Sequence, residues 1–264
     1  METDSFYRMG STHSVCQDYA ASGVSPFGDV RAAVSDGCST ALDSDWGARF
    51  LARAAMTEKE IGTFSVLDAA KDMIAASRLP RQALRATLLI AYVLSNGEVR
   101  AYRSGDGVIV TRARSGFVAY ERVEFEGNMP PYLSYIGVHS DVDEYYQLCR
   151  TQTITLGARD LGGKWTRKES QDFPSVIGHS SLLGSPRELD LVLLFSDGVE
   201  SFQDRDGNVV PLETILDELL AIRNFKGQFL GRRCGAFLQR TCAERGWKHS
   251  DDFSVAGIYF GDTQ

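Results

Sequence analysis

Acidic residues at three separated places in the sequence have the type and setting to bind divalent metal ions. Asp36 and Asp197 each follow an apolar stretch and precede a glycine, and the pair Asp251-Asp252 precedes the last apolar stretch. Carboxylate oxygens are hard ligands that select Mg²⁺ or Mn²⁺ rather than Zn²⁺ or Cu²⁺. One isolated Asp-Gly pair is more often an ordinary turn. Two such pairs, each at the end of an apolar strand, weaken that interpretation.

Strands that end at these acidic residues would hold them at fixed separations. Residues 29–35 are predicted as a strand that ends at the first Asp-Gly pair. Residues 189–196 form a nearly continuous apolar run that ends at the second pair, a pattern typical of a strand buried on both faces. Residues 253–260 are predicted as the last strand, directly after the acidic pair.

Further helices and strands surround these three strands. Apolar residues recur at helical spacing after Ser44 and after Thr63, and Pro211 opens another helical stretch. The segment 86–103 predicts a hairpin because its Asn96-Gly97 pair tolerates the positive φ angles of a two-residue turn. Other elements are expected as strands at 108–111, 117–125 and 152–156 and as a helix at 229–244.

The segment from about 159 to 188 is polar, rich in Gly and Ser, and lacks clear periodicity. A loop of this length inside a compact domain is usually functional or mobile, so we predict a flap or long loop that faces a substrate. No internal repeat or low-complexity linker offers a boundary for a second domain. Residues 1–264 are therefore expected to form a single domain.

Length, composition and charge exclude several classes of protein. A chain of 264 residues with 43% apolar residues can fill one hydrophobic core. The net charge of -7 argues against binding to nucleic acid or to anionic membranes, because both need basic patches. The first residues lack a secretory signal, and the longest apolar run, 86–94, is too short to span a bilayer. Five cysteines without close CxxC pairing indicate reduced thiols, so a cytoplasmic protein is expected.

Five short motifs follow one another along almost the whole chain. They are HSVCQD at 13–18, VSDG at 34–37, SGDG at 104–107, FSDG at 195–198 and SDDFSV at 250–255. In this order they resemble the motifs of the PP2C (PPM) family of metal-dependent serine/threonine protein phosphatases, in particular its divergent bacterial branch. Each motif is weak alone, but five in the family's order are hard to obtain by chance.

The resemblance implies an α+β fold, in which a central sandwich of two antiparallel β-sheets is flanked by α-helices in four αββα layers. It also implies two Mn²⁺ or Mg²⁺ ions at one end of the sandwich. The implied ligands are Asp36, which bridges both ions, the Gly37 carbonyl for one ion, and Asp197 and Asp251 for the other. Asp18 would hold a water molecule from behind these ligands, and Asp106 lies where members with a third ion place a ligand. Asp252 would orient its loop by hydrogen bonding.

The implied reaction is hydrolysis of phosphoserine and phosphothreonine in proteins. A water or hydroxide bridging the two ions would attack phosphorus in line, without a protein nucleophile. A cognate Ser/Thr kinase is then implied as the functional counterpart. The alternative is a regulatory pseudophosphatase that binds phosphorylated partners without efficient turnover.

Three departures from the family pattern motivate that alternative. His13, a candidate catalytic residue with Asp36 and Asp18, occupies the position at which many members use Arg to grip phosphate. A protonated imidazole could do so, but its charge varies near neutral pH. Cys38 follows the first Asp-Gly pair where some members carry a His proposed as the general acid, and a thiol is a poor substitute. Ser201 stands where an acidic ligand of a third ion is usual, and Glu200 is offset by one residue.

One further spacing in the sequence resembles a different phosphatase chemistry, that of the thiol phosphatases. Cys234 and Arg240 match the C-x5-R spacing of thiol phosphatases, in which backbone N–H groups of a loop surround the phosphate. This match falls in a predicted amphipathic helix, where the backbone N–H groups are already used. Coincidental spacing is therefore the favoured interpretation.

Overall fold

The computed structural model describes residues 1–136, 139–174 and 178–261. In chain order its strands are β1 (Glu2–Arg8), β2 (Asp18–Val24), β3 (Val30–Asp36), β4 (Leu88–Val93), β5 (Val99–Ser104), β6 (Gly107–Ala113), β7 (Val118–Phe125), β8 (Gln152–Arg159), β9 (Trp165–Asp172), β10 (His179–Gly184), β11 (Leu189–Phe195), β12 (Phe202–Gln203), β13 (Lys248–His249) and β14 (Phe253–Tyr259). One antiparallel sheet has the order β1-β14-β11-β6-β7-β8-β9, and the second has the order β10-β5-β4-β3-β2. Strands β12 and β13 form a separate short pair.

Helices cover the outer faces of both sheets. They are α1 (Ser44–Thr57), α2 (Thr63–Ala76), α3 (His139–Leu148), α4 (Leu212–Leu220), α5 (Phe229–Ala236) and α6 (Cys242–Arg245), with a π-helical turn, Phe237–Thr241, between α5 and α6. Helices α1 and α2 share an apolar cluster with the smaller sheet, and α4 and α5 share one with the larger sheet. The predicted four-layer αββα sandwich is confirmed. None of the helices in the described ranges has the length and apolar composition of a membrane span.

Continuous apolar runs form the central strands because both faces of these strands are buried. In β4, Leu88 and Ile90 pack against the helices, whereas Leu89 packs toward the other sheet. In β11, Leu193 packs against the helices and Val192 packs between the sheets. Alternate residues of a strand point to opposite faces, so both faces require apolar side chains. Burial of each such side chain contributes roughly 1.5–3 kcal/mol.

The predicted loop at 159–188 is wrong for about half of its length, because two strands lie within it. Strand β9 extends the larger sheet as a hairpin with β8, and β10 forms the edge of the smaller sheet against β5. Seven of the eight residues of β9 are exposed, so its sequence shows no alternation of apolar and polar residues. Residues 175–177, which belong to the same prediction, lie outside the described residues.

Helix α1 packs backbone against backbone on a short 3₁₀ helix, Arg81–Leu84. A Cβ atom on Gly47 would lie 1.7 Å from the carbonyl oxygen of Ala83. Gly235 in α5 provides the opposite case, because a Cβ atom there meets nothing within 4 Å. The two helical glycines therefore separate the effect of close packing from that of helix propensity.

We expect Gly47→Ala to lower the free energy of unfolding by about 1–3 kcal/mol, because the backbone of Ala83 must move. Gly235→Ala is the matched control and should raise the free energy of unfolding by up to about 1 kcal/mol through helix propensity. Chemical denaturation followed by circular dichroism measures both. Equal stability of the two variants would contradict the close contact of α1 with the 3₁₀ helix.

Candidate metal centre

An open cavity of about 490 Å³ lies where strands of both sheets end. The predicted site residues that line it are His13, Asp36, Gly37, Asp106, Asp197 and Asp251. Asp18 lies behind them and is almost completely buried. The fold thus brings together acidic residues that are far apart in the sequence.

Strand register sets the position of Asp36. The antiparallel pairing of β2 with β3 places Asp18 directly opposite Asp36. On the other side, the Asp36 N–H donates to Thr87 Oγ1 at 3.1 Å, and the Thr87 N–H donates to the Asp36 carbonyl at 2.8 Å. Asp36 is therefore held on both sides by its neighbours in a five-stranded sheet.

Ser196 connects the two sheets at the cavity. Its Oγ donates a hydrogen bond of 2.5 Å to Oδ2 of Asp18, which belongs to the smaller sheet. The same oxygen accepts the N–H of Ser254 in β14 at 3.1 Å. Asp197 follows Ser196 directly and opens a 3₁₀ helix, Asp197–Glu200. The hydroxyl thus ties Asp197 to the carboxyl group that supports Asp36.

The glycines of both Asp-Gly pairs are required by close packing. A Cβ atom on Gly198 would lie 1.7 Å from the carbonyl oxygen of Asp252, and one on Gly37 would lie 2.7 Å from that of Ser44. Neither glycine is among the residues with positive φ. These pairs therefore mark places where two backbone segments meet at the site, and not turns that need left-handed glycines.

The adjacent carboxylates Asp251 and Asp252 have different surroundings. Asp252 is buried and accepts the backbone N–H groups of Gly10 at 2.7 Å and Gln17 at 2.6 Å. Asp251 lines the cavity, and its side chain is 43% exposed. The pair thus divides into one carboxylate that orders the 10–17 loop and one that faces the site, and Asp251 remains the predicted ligand.

His13 is held by this same acidic pair. Its Nδ1 lies 3.0 Å from Asp252 Oδ2, and its Nε2 lies 3.4 Å from Asp251 Oδ1. Burial lowers the pKa of His13, but the hydrogen bond and charge of Asp252 and the charge of Asp251 raise it above its ordinary value overall. The imidazolium charge is therefore favoured, and it is directed at carboxylates.

The negative charge of the carboxyl groups at the cavity is unfavourable, because these groups are buried. Burial raises the pKa of Asp18 to about 7 and that of Asp197 to about 6. Burial, followed by the charges of Asp18 and Asp197, also raises the pKa of Asp36. Burial and the charge of Asp197 likewise raise the pKa of Asp106. These groups therefore keep their protons to a higher pH than ordinary carboxyl groups, and nearby cations would oppose this shift.

The donor chemistry fits hard divalent ions that keep part of their water shell. Within the described residues, no three acidic, histidine or cysteine side chains form a compact ligand set by themselves. Mg²⁺ is commonly held by one or two carboxylates together with several water molecules, so a closed cage is not required. The backbone of Gly37 lies in the same cavity wall as Asp36. Buried carboxylates without such cations would be costly.

Asp106, the residue predicted to hold a third ion, lies close enough to Glu200 for the Glu200 charge to help raise the pKa of Asp106. Asp106 lies between Gly105 and Gly107, whose φ angles are 95° and 117°. Glu200 forms an ion pair of 2.7 Å with Arg122, and burial raises the pKa of Glu200 to about 7. The Ser201 hydroxyl donates a hydrogen bond of 2.9 Å to the Gly198 carbonyl. Glu200, and not Ser201, is therefore the acidic residue near Asp106.

Part of the cavity wall consists of residues that the sequence analysis did not identify. Among them are Arg85, Asn128, Tyr132, Tyr135 and Tyr145. Most come from the segment after β7, which has short helices and no strong periodicity. The Pro130-Pro131-Tyr132 run was the available signal, since proline and aromatic clusters commonly form rigid walls.

Cys38 also lines the cavity, beside the first Asp-Gly pair. Its Sγ lies 3.2 Å from Thr40 Oγ1. Burial raises the pKa of Cys38, but hydrogen bonds with Thr40 and Tyr132 lower it below its ordinary value overall. The thiol is thus engaged with its neighbours in the wall.

The C-x5-R match lies away from the cavity. Cys234 is buried in α5, where burial raises the pKa of its thiol, and Arg240 lies in the π-helical turn. The helix occupies the backbone N–H groups that a phosphate loop would need. Thiol phosphatase chemistry therefore has no site here.

Part of the chain matches the model of one known protein family. Residues 9–123 match the model of the family described as protein phosphatase 2C. No curated protein sequence matches the chain. The fold is similar to that of a bacterial serine phosphatase, with a TM-score of 0.56 at 12% identity over 100% of this chain and 99% of that one. It is also similar to the serine/threonine phosphatase Stp1 from Staphylococcus aureus, with a TM-score of 0.55 at 12% identity over 99% and 96% of the two chains.

The two members of the acidic pair should respond differently to substitution. We expect Asp251→Asn to weaken Mn²⁺ binding with little change in the free energy of unfolding, because this side chain faces the cavity. Asp252→Asn should lower the free energy of unfolding by about 1–3 kcal/mol, because a buried acceptor of two backbone N–H groups is impaired. Calorimetric titration with Mn²⁺ and chemical denaturation measure the two effects. Weaker Mn²⁺ binding in Asp252→Asn than in Asp251→Asn would move the ligand by one residue.

The raised carboxyl pKa values also predict how metal-free stability depends on pH. A carboxyl whose pKa is higher in the folded state binds more protons there, so its contribution to stability falls as pH rises. For Asp18 and Asp197 this loss extends from the ordinary pKa of 3.8 up to about 7 and about 6. In EDTA we expect Tm to fall between about pH 5 and about pH 8, and Mn²⁺ should raise Tm most at the higher pH. A metal-free Tm that rises over this range would contradict the assignment.

Proposed function

We propose that the chain is a protein phosphatase 2C, the family whose model matches residues 9–123, and that it hydrolyses phosphoserine and phosphothreonine in proteins with two divalent ions, Mn²⁺ or Mg²⁺. The observation that carries the proposal is the convergence of buried carboxyl groups from both sheets on one open cavity. Their raised pKa values support the proposal, because bound cations would compensate negative charge that burial disfavours.

Each acidic residue has a part in the proposed site. Asp36 and the Gly37 carbonyl would hold ions from the side of the smaller sheet, and Asp197 and Asp251 would do so from the larger sheet. Asp18, held by Ser196, would position a water molecule beside Asp36. When bound, the ions supply activation of water and neutralisation of charge on the phosphoryl group. Asp106 would contribute to a third ion.

The shape and chemistry of the cavity support a protein substrate. Its tyrosine wall, with Tyr132, Tyr135 and Tyr145, offers apolar and hydrogen-bonding surface beside the acidic end. Such a wall suits a peptide segment around a phosphorylated side chain. A cognate Ser/Thr kinase would supply that substrate, and the five free cysteines support a reducing, cytoplasmic setting.

A regulatory pseudophosphatase is the second candidate. The observation that favours it is His13, whose ring contacts Asp251 and Asp252 instead of presenting a free cation to phosphate. Such a protein would bind phosphorylated partners without efficient turnover. The two functions differ in turnover: a phosphatase hydrolyses the phosphopeptide that it binds, whereas a pseudophosphatase binds it with little hydrolysis.

Asp36→Asn should reduce Mn²⁺-dependent hydrolysis of an aryl phosphate by about 100-fold or more, because one carboxylate that holds the ions is lost. In EDTA at about pH 8 the variant should be at least as stable as the wild type, since repulsion with Asp18 and Asp197 is relieved.

The control for this variant is Asp68→Asn, which removes an exposed carboxylate on α2. It should leave both hydrolysis and stability close to those of the wild type. Turnover of Asp36→Asn within a few-fold of the wild type would rule out the proposed metal centre. A wild type that binds phosphopeptide but shows no turnover with Mn²⁺ or Mg²⁺ would favour the pseudophosphatase.

A further inference from the structure

The cavity has a marked excess of negative charge for a site that would accept a phosphate. Five aspartates line it: Asp36, Asp106, Asp141, Asp197 and Asp251. Among the described lining residues, Arg85 is the one with a lysine or arginine side chain. A phosphate dianion needs cationic hydrogen-bond donors as well as metal ions, because it would otherwise be repelled by any carboxylate left uncompensated.

The backbone of Arg85 is joined to the loop that carries Asp36. The Cys38 N–H donates to the Arg85 carbonyl at 2.8 Å, and the Thr87 N–H donates to the Asp36 carbonyl at 2.8 Å. Between these bonds, Gly37 and Ala86 form an antiparallel bridge. Residues 85–87 therefore run beside residues 36–38, and Arg85 has a fixed position relative to the predicted metal ligands.

The side chain of Arg85 is oriented by an aromatic wall. Its guanidinium carbon lies 5.9 Å from the ring centroid of Tyr135. That ring packs against Tyr132 at 5.4 Å and against Tyr145 at 5.7 Å between centroids. A guanidinium group held over a ring keeps its N–H edge available for a bidentate contact with an anion.

We infer that Arg85 binds the phosphate group of the substrate, in the role for which His13 is poorly placed. This inference rests on the proposed phosphatase function. Arginine remains charged at all relevant pH values and matches two phosphate oxygens at once, whereas the ring of His13 already contacts two carboxylates. The residue that recognises phosphate is thus Arg85, just before β4, and not a residue of the 13–18 motif.

The test compares Arg85→Met and Arg85→Lys with the control Arg53→Met. Arg53 is an exposed arginine of α1 that does not line the cavity, so the control removes the same charge elsewhere. With Mn²⁺ present, KM for a phosphothreonine peptide and Ki for inorganic phosphate should both rise roughly 10- to 100-fold in Arg85→Met. The value of kcat should change much less, and Arg85→Lys should recover part of the loss. Arg53→Met should match the wild type.

Tyrosine variants test the orientation of the guanidinium. Tyr135→Phe keeps the ring under Arg85 and should raise Ki for phosphate less than Tyr135→Leu does. Tyr135→Leu removes the ring and should raise Ki in the same direction as Arg85→Met, by a smaller factor. Loss of binding in Tyr135→Phe alone would show that the hydroxyl, and not the ring, matters.

Direct binding separates failure of this inference from failure of the proposed function. Fluorescence anisotropy of a labelled phosphothreonine peptide, against its unphosphorylated form, reports binding without turnover. An inactive wild type whose phosphopeptide binding still depends on Arg85 would overturn the phosphatase and keep the phosphate site. An active wild type with unchanged KM, Ki and peptide affinity in Arg85→Met would overturn the inference and keep the phosphatase.

Discussion

The burial of several carboxyl groups at one cavity is the constraint on which the rest of this structure depends. Asp18, Asp36, Asp106 and Asp197 lie together at the ends of strands, and burial raises the pKa of each. A fold keeps such groups together only when the surrounding core is rigid enough to oppose their separation. The sandwich meets this need because its central strands are buried on both faces, as the clusters around β4 and β11 show.

The site is divided between the two sheets, so the packing between them determines its geometry. Asp18 and Asp36 belong to the smaller sheet, whereas Asp197 and Asp251 adjoin strands of the larger sheet. The hydroxyl of Ser196 bridges the halves directly through its hydrogen bond to Asp18. Cation binding would therefore strengthen the contact between the sheets, which links occupancy of the site to stability.

Binding of phosphate would depend on how the remaining charges are distributed around this acidic centre. His13 lies against Asp251 and Asp252, where its charge offsets theirs. Arg85 lies in the tyrosine wall of the same cavity, tied by its backbone to the loop of Asp36. In this arrangement one cation supports the protein's own carboxylates and the other is available to a ligand.

The sequence by itself determined the buried strands, because these depend on runs of apolar residues. It also determined the Asp-Gly pairs and their order along the chain. It also determined the four-layer sandwich, through motifs that resemble one family. It did not reveal strand β9, whose exposed residues carry no hydrophobic period. It did not identify the tyrosine wall either, because that segment has no strong periodicity.

Only the tertiary structure decided which polar residues meet at the site. The contact of His13 with Asp251 and Asp252 joins residues more than 230 positions apart, as the hydrogen bond of Gly10 to Asp252 also shows. The need for Gly198 arises from the backbone of Asp252, and the placement of Arg85 arises from pairing with residues 36–38. Contacts of this kind depend on the packing of two sheets, and no local sequence pattern encodes them.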